Sequence, residues 1–223
     1  MVDVRMVDCL RGQPYQHVEQ GTDEWRLARR GRVTASEFAT ICGLSPWCTP
    51  QSLWQLATGR IGGDWAGNEH TQHGTAYEST ARDAYCRLTG NVVETCGLFI
   101  HRGHTWLAAS PDGLIGDHGL LEIKCPTRSV HTTVPLAYMC QIQGQLEITD
   151  RRFAHFFSWT STQCSLFEVQ RSADFWTWML PRLQTFYACV EADMEPSTEE
   201  LGMVEHPNQT LPPVLCTCLG TWP

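Results

Sequence analysis

The chain of 223 residues is long enough for one well-packed domain, and a hydrophobic fraction of 42% supports a true core. The formal net charge of −8 argues against nucleic-acid binding through overall charge, because affinity for DNA rests largely on Lys and Arg. The distribution of charge matters more than its sum. A local basic cluster is formed by Arg26, Arg29, Arg30 and Arg32, and an acidic C-terminal segment accounts for part of the excess.

The sequence contains neither a membrane-spanning stretch nor a secretion signal. No run of 18 apolar residues occurs, and Met1 to Leu10 carries charges where a signal peptide is apolar. We therefore expect a soluble intracellular protein without membrane contact, in the cytoplasm or the nucleus depending on the host. Eleven cysteines, with no CxxC pair, indicate reduced thiols and argue against a structural zinc site or an iron–sulfur cluster.

Hydrophobic periodicity and turn residues predict helices that alternate with short strands. The predicted helices are two helices within 22–40 separated by a turn at Gly31, then 50–58, 69–88, 135–149 and 173–192. The predicted strands are 92–100, 105–109, 120–125, 152–160 and 164–170. This order predicts a single α/β domain with a mixed central sheet over residues 1–195, followed by a proline-rich tail over 196–223 that is mobile or lies on the surface as a strap.

One basic residue differs from all the others. Of the 16 basic residues, 15 are arginine and the remaining one is Lys124. The alternation of a strand places Glu122 and Lys124 on the same face. If residues 111–113 pair with this strand through the turn at 116–119, Asp112 lies alongside Glu122. Two carboxylates and a backbone carbonyl then provide oxygen ligands suited to Mg²⁺ or Mn²⁺.

Such a site suits phosphodiester hydrolysis, because a divalent ion activates water and neutralises charge in the transition state. Lys124 would position or help deprotonate that water, whereas an arginine remains protonated. The purely structural alternative is a solvated Glu–Lys pair on an edge strand beside an Asp-Gly turn.

The pattern Pro111-Asp112 followed by Glu122-x-Lys124 resembles the PD-(D/E)xK nuclease superfamily. More narrowly, the chain resembles the lambda exonuclease and YqaJ viral-recombinase family. The resemblance covers roughly residues 18–190 through six ordered sequence blocks, which begin at Val18, Arg29, Gly74, Ser110, Leu121 and Ala137. It implies a restriction-endonuclease-like core.

The resemblance also implies roles for individual residues. The catalytic set would be Glu78, Asp112, Glu122 and Lys124. The metal ligands would be Glu78, Asp112, Glu122 and the carbonyl of Ile123, with Mg²⁺ as the cofactor and Mn²⁺ able to substitute. A 5′-phosphate pocket would be formed by Arg29, Ser36, Ser110 and Gln141. From the residues alone, Glu78 is equally an exposed helix residue, and Ser36, Ser110 and Gln141 are equally a helix cap, a turn residue and a solvated helix position.

The predicted function is a metal-dependent deoxyribonuclease, a Mg²⁺-dependent phosphodiesterase that degrades linear double-stranded DNA from its 5′ ends. The products would be 3′ single strands for recombination or end processing. Polarity, a single-strand annealing recombinase as partner and a ring-shaped homotrimer follow from the resemblance alone. The alternatives are an endonuclease of the same superfamily and a catalytically silent DNA-binding recombination scaffold.

Two further patterns leave other sites open. His70 and His73, three residues apart near Glu78, form a rival pair of metal ligands. Three tryptophans are candidates for stacking on single-stranded bases, or alternatively for ordinary packing. They are Trp47, Trp54 and Trp65.

Overall fold

The computed structural model describes residues 15–61, 69–202 and 211–223, and for residues 69–75 the helical backbone only. The helices in chain order are α1 Asp23–Arg29, α2 Phe38–Ile41, α3 Pro50–Ala57, α4 Glu69–Thr89, α5 Leu136–Thr149 and α6 Ala173–Glu191. The strands are β1 Val33–Thr34, β2 Val93–Glu94, β3 Phe99–Ile100, β4 Leu107–Ala109, β5 Gly113–Ile115, β6 Gly119–Lys124, β7 Phe153–Trp159, β8 Cys164–Gln170 and β9 Cys216–Trp222.

The larger of two sheets has six strands in the order β2-β5-β6-β7-β8-β9. The β6–β7 pair is parallel, and the other neighbours are antiparallel, so the predicted mixed sheet is confirmed. The smaller sheet has the order β1-β4-β3. β6 lies between β5 and β7 in the larger sheet, and its residues contribute to a packed hydrophobic cluster on each face.

Alternation along β6 assigns its residues to two separate cores. Leu120 belongs to a large cluster that contains residues of α2, α3, α5 and α6. Leu121 and Ile123 belong to a second cluster, which includes Ala81 and Tyr85 of α4. The sheet is therefore covered by α4 on one face and by several helices on the other.

Predicted helical content near the N-terminus is only partly correct. Residues 22–40 form α1, then β1, a 3₁₀ turn over Ala35–Glu37 and the short α2. The second predicted helix begins after Thr34 as expected, but as a 3₁₀ turn that leads into the short α2. The strand β1 before it was not expected, and its residues Val33 and Thr34 are buried and pair in parallel with β4. Such a pairing partner lies more than seventy residues away along the chain, so local periodicity does not show it.

The predicted strand 92–100 is divided into β2 and β3, which belong to different sheets. Gly97 lies between them, and its amide donates a hydrogen bond to the Gln16 carbonyl oxygen. A Cβ atom at Gly97 would meet the Val18 carbonyl oxygen. The close crossing of residues 15–18 therefore separates the two strands and favours glycine at this position.

The last part of the C-terminal region is an ordered, mostly exposed strand, which agrees with the surface-strap alternative. Residues Cys216–Trp222 form β9, which pairs antiparallel with β8. β9 covers a backbone edge of β8 that would otherwise be open, which explains why a segment with weak hydrophobic alternation adopts extended structure. The proposed domain boundary at residue 195 itself stays a prediction.

Two expectations from composition concern the described residues as a whole. The ten cysteines among them are not paired in disulfides, and the expected reduced state stays a prediction. Within these same ranges, no helix combines the length and apolar character needed to cross a bilayer.

Candidate active site

A hairpin of β5 and β6 brings two acidic residues together. Gly113 pairs with Leu121, and the Asp112 amide donates a hydrogen bond of 3.1 Å to the Leu121 carbonyl oxygen. The Asp112 carboxylate accepts a hydrogen bond of 2.6 Å from the amide of Ile123. The predicted hairpin is confirmed, and it places Asp112 beside the β6 segment that carries Glu122.

Glu122 and Lys124 form an ion pair on one face of β6. The Lys124 Nζ atom lies 2.6 Å from Glu122 Oε1. The Glu122 side chain is 1% exposed and that of Lys124 is 25% exposed. Because β6 is flanked by β5 and β7, the alternative of a solvated pair on an edge strand is wrong. A buried charge pair is instead costly unless it is held by further hydrogen bonds.

Two glutamines of α5 provide those hydrogen bonds. Gln141 Nε2 donates to Glu122 Oε1 at 2.7 Å, and Gln145 Nε2 donates to Glu122 Oε2 at 2.6 Å. Residues four apart lie on the same face of a helix, so both amides reach the same carboxylate. Gln141 was predicted in the phosphate pocket, and the structure places it on Glu122.

Gln145 was missed by sequence reasoning. It is 1% exposed, and its Oε1 atom is buried without a hydrogen-bond partner among the described residues. The signal that could have found it is the i,i+4 spacing from Gln141 on a helix that packs against β6. Gln143, by contrast, donates to the Gln170 carbonyl oxygen and accepts from the Ser172 amide, so it joins structural elements away from the carboxylates.

The site carries more negative charge than its surroundings balance. Burial raises the pKa of Asp112 well above its usual value, and the nearby Glu122 and Glu78 carboxylates raise it further. Burial opposes the charged form of Lys124, but Glu122 and Asp112 outweigh it and hold the pKa of Lys124 above its usual value. Lys124 is therefore an ammonium ion here.

Glu78 lies on α4 and forms an ion pair with Arg82 one helical turn later. Burial raises the pKa of Glu78, Arg82 opposes that shift, and Glu122 and Lys124 act on it more weakly. Glu78 is thus within electrostatic reach of the site, while its nearest charged partner is Arg82. Its predicted role as a metal ligand stays a prediction.

The donor set of Asp112, Glu122 and the Ile123 carbonyl fits a divalent cation. Oxygen ligands suit Mg²⁺, and a cation would offset the burial and the neighbouring carboxylates that together raise the pKa of Asp112. Within residues 15–61, 69–202 and 211–223, no three His, Cys, Asp or Glu side chains gather into a metal-binding group. An ion would therefore rest on two carboxylates and backbone oxygen. The side chains of His70 and His73 lie outside the described residues.

Three of the predicted phosphate ligands belong to one connected group of side chains. The Arg29 guanidinium lies 4.3 Å from the centroid of the Trp25 ring and donates a hydrogen bond of 3.2 Å to Thr34 Oγ1. Thr34 Oγ1 lies 3.1 Å from Ser36 Oγ. Trp25 Nε1 donates a hydrogen bond of 2.9 Å to Ser110 Oγ. Trp25 and Thr34, neither of which was assigned a role in the phosphate pocket, thus hold this Arg29 group together.

The three candidate stacking tryptophans have different environments. Trp54 is 4% exposed, and its Nε1 atom donates a hydrogen bond to the Cys189 carbonyl oxygen. The hypothesis that Trp54 stacks on bases is therefore wrong. Trp47 is 64% exposed. Trp65 lies outside the described residues.

A mixed sheet between helices, with an Asp, a Glu and a Lys on one strand hairpin, defines the restriction-endonuclease-like class that the sequence predicted. A family model described as the YqaJ-like viral recombinase domain matches residues 24–152, and the chain belongs to this family. All predicted site residues lie within that match. The family resemblance inferred from six sequence blocks is therefore confirmed.

Similar proteins with solved structures support the same fold. An alkaline exonuclease from Laribacter hongkongensis is 30% identical with a TM-score of 0.67, and the match covers 77% of this chain and 94% of that one. Its crystal structure in complex with dAMP is 29% identical with the same TM-score, over 81% and 98% of the two chains. A phage-related exonuclease from Haemophilus somnus is 13% identical with a TM-score of 0.51, over 72% and 92%, which shows the fold alone.

A curated relative is an uncharacterised protein of Acanthamoeba polyphaga mimivirus. It is 28% identical over 176 residues, which cover 70% of this chain and 31% of that protein. The chain thus spans about a third of the length of the curated relative it matches.

Proposed function

We propose that this chain is a DNA exonuclease that hydrolyses phosphodiester bonds in linear double-stranded DNA. The observation that carries this proposal is the buried Glu122–Lys124 pair with Asp112 beside it across the hairpin. Membership of the YqaJ-like family and similarity to the Laribacter alkaline exonuclease support the same activity. A scaffold without catalysis would have no need for a costly buried charge pair beside a second carboxylate.

The chemistry we propose depends on Mg²⁺, with Mn²⁺ able to substitute. When bound, the ion lowers the pKa of a water molecule and neutralises charge on the phosphoryl group. Asp112, Glu122 and the Ile123 carbonyl would hold it, and Gln141 and Gln145 fix the orientation of the Glu122 carboxylate. Second-layer hydrogen bonds of this kind orient metal ligands.

Lys124 acts in this proposal on the attacking water or on the phosphoryl oxygens. The Glu122 and Asp112 carboxylates favour its charged form, and an ammonium group beside the site would orient the water or stabilise negative charge on the phosphoryl oxygens. The two roles expected from the sequence, positioning the water and helping to deprotonate it, stay predictions.

The Arg29 group is proposed to bind a 5′-phosphate and so to set 5′-to-3′ polarity. Arginine can bind phosphate through two parallel hydrogen bonds, and the neighbouring hydroxyls of Ser36 and Ser110 add donors. Ser110 precedes Asp112 by two residues, so a phosphate on Arg29 would lie at the edge of the carboxylate site. A homotrimer and a single-strand annealing recombinase as partner follow from the family resemblance and stay predictions.

The proposal is tested with end-labelled linear duplex and covalently closed circular DNA, each with and without Mg²⁺. We expect progressive loss of the linear duplex from 5′-phosphorylated ends in Mg²⁺, with the closed circle left intact. Cutting of the circle would identify an endonuclease instead. Intact linear DNA after long incubation with Mg²⁺ would favour the silent scaffold.

Replacing Arg29 tests the phosphate assignment separately. Arg29→Ala should slow digestion from 5′-phosphorylated ends by about 10- to 100-fold, which is the effect of losing a charged hydrogen bond. Digestion from 5′-hydroxyl ends should be slowed much less. Arg30→Ala is the matched control, because Arg30 is an exposed arginine at the end of the same helix. Equal losses on both kinds of end would count against the pocket.

A further inference from the structure

An exposed tryptophan lies close to the catalytic lysine. Trp47 lies in the segment between α2 and α3, and 64% of its surface is exposed. Its ring centroid is 5.7 Å from that of Tyr138, with the two planes inclined by 30°. The Lys124 Nζ atom lies 4.8 Å from the centroid of the same Tyr138 ring. A single aromatic ring therefore separates Trp47 from the ion pair with Glu122.

The support beneath Trp47 is tied to the sheet. The Tyr138 ring stacks on His131 at 5.4 Å and on Phe156 of β7 at 5.6 Å. The His131 amide donates a hydrogen bond of 3.0 Å to Ser158 Oγ, also on β7. A ring packed on such a support loses little conformational freedom when a ligand stacks on it.

The Trp47 segment follows the short helix α2, which begins directly after the Arg29 group in the chain. Glu37, the residue before α2, accepts hydrogen bonds from the amide and hydroxyl of Thr34, to which Arg29 also donates. The chain therefore leads from the proposed phosphate ligands through α2 to the segment that carries Trp47.

We propose that Trp47 is a stacking platform for an unpaired nucleobase at the 5′ end of the strand that is digested. This inference rests on the proposed exonuclease function and adds a base-binding subsite to it. Glu122 is 1% exposed, so the strand that is digested has to enter the site, and the proposal takes the bases of the entering end to be unpaired. Every base offers a π-face, so stacking on Trp47 holds the strand without requiring a particular sequence.

The test compares DNA with and without the bases that Trp47 would hold. Two 5′-phosphorylated duplexes are used, one intact and one with abasic positions at the 5′ end of the digested strand. Trp47→Ala should lower kcat/KM on the intact duplex by about 5- to 100-fold, the range for loss of one aromatic stacking contact. The wild-type protein should show a similar loss on the abasic duplex, and Trp47→Ala should lose little more there.

The control variants separate stacking from a general effect. Trp47→Phe should recover most of the activity, because it keeps an aromatic face. Val92→Ala alters a side chain of comparable exposure, 79%, and should behave as wild type on both duplexes. Equal activity of Trp47→Ala and wild type on intact DNA would overturn the proposal, and would leave a protein partner as the reason for this exposed ring. The proposal would also be overturned if the loss of kcat/KM caused by Trp47→Ala were as large on the abasic duplex as on the intact duplex.

A binding measurement keeps the subsite testable if cleavage fails. Fluorescence anisotropy of a labelled 5′-phosphorylated single strand is recorded in EDTA, where no hydrolysis occurs. Trp47→Ala should weaken binding of the strand with bases and leave binding of an abasic strand unchanged. A wild-type protein that binds in this way but degrades no DNA in Mg²⁺ would refute the proposed function alone, whereas an unchanged affinity in Trp47→Ala would refute the platform alone.

Discussion

The two ends of the central strands carry opposite arrangements of charge. At the C-terminal end of β6, Asp112 and Glu122 lie around a single lysine, which also pairs with Glu122. At the other end, beyond β8, Arg171 forms ion pairs of 2.7 Å with Glu147 and 2.8 Å with Asp150. In the Arg171 cluster, one arginine pairs with two carboxylates at the C-terminal end of α5, whereas the β6 site holds two carboxylates close to one another.

The pKa shifts of two aspartates, one in each cluster, show this difference. The pKa of Asp112 is well above its usual value because of burial and the nearby Glu122 and Glu78 carboxylates. The pKa of Asp150 is below its usual value because Arg171 donates a hydrogen bond to it. An ion pair that lowers the pKa of an acid stabilises the folded chain. Neighbouring carboxylates that raise one another's pKa are instead stabilised when a cation binds between them. The contrast distinguishes a structural ion cluster from a candidate catalytic site.

The largest effect is expected from changes in the β6 pair. Glu122→Gln and Lys124→Ala should each lower the rate of DNA cleavage by at least about a hundred-fold, because each removes a group that acts on the metal or the phosphoryl charge. Circular dichroism and thermal unfolding should show a folded protein in both cases. Substantial cleavage by both purified, folded variants would contradict the assigned centre.

A smaller effect is expected from the glutamine that orients Glu122. Gln145→Leu should reduce cleavage by about 10- to 100-fold and raise the Mg²⁺ concentration needed for half-maximal rate, as is typical for second-layer groups of metal sites. Gln143→Leu is the matched control, since Gln143 is an equally buried glutamine on the same helix that bonds to Gln170 and Ser172 instead. It should lower stability without changing the Mg²⁺ dependence. The same Mg²⁺ shift in both variants would show that Gln145 acts only through the fold.

The smallest effect on activity is expected at the opposite end of the strands. Arg171→Leu should lower the free energy of unfolding by about 1–3 kcal/mol, because it leaves the partly buried Glu147 without its charged partner. The rate of cleavage per folded molecule should stay at the wild-type value. Chemical denaturation and a nuclease assay on the same sample check both parts. A loss of cleavage comparable to that of Gln145→Leu would remove the distinction between the two clusters.

Local sequence was sufficient for the centre of the site. Strand alternation placed Glu122 and Lys124 on one face, and the glycine-containing turn at 116–119 predicted the hairpin that brings Asp112 beside them. These contacts join residues close in sequence, so periodicity and turn chemistry contain the necessary information. The single lysine among arginines pointed to the same place.

Contacts between segments that are distant in the chain could not be predicted from local sequence patterns. The hydrogen bonds from α5 to Glu122 depend on how a helix packs over the sheet, so Gln141 was assigned to phosphate and Gln145 was missed. The pairing of β1 with β4 and of β8 with β9 depends on exposed backbone groups of another strand, which no local pattern records. The exposure of Trp47 and the burial of Trp54 likewise follow from tertiary packing.

The parallel pairing of β6 with β7 also bears on where the chain can be divided. The match to the YqaJ-like family ends at residue 152, one residue before β7 begins. All six residues of β6, from Gly119 to Lys124, are paired with β7. A fragment cut where family similarity ends would keep every proposed catalytic side chain but lose the strand that holds two of them in register. The end of the family match is therefore not a limit of independent folding.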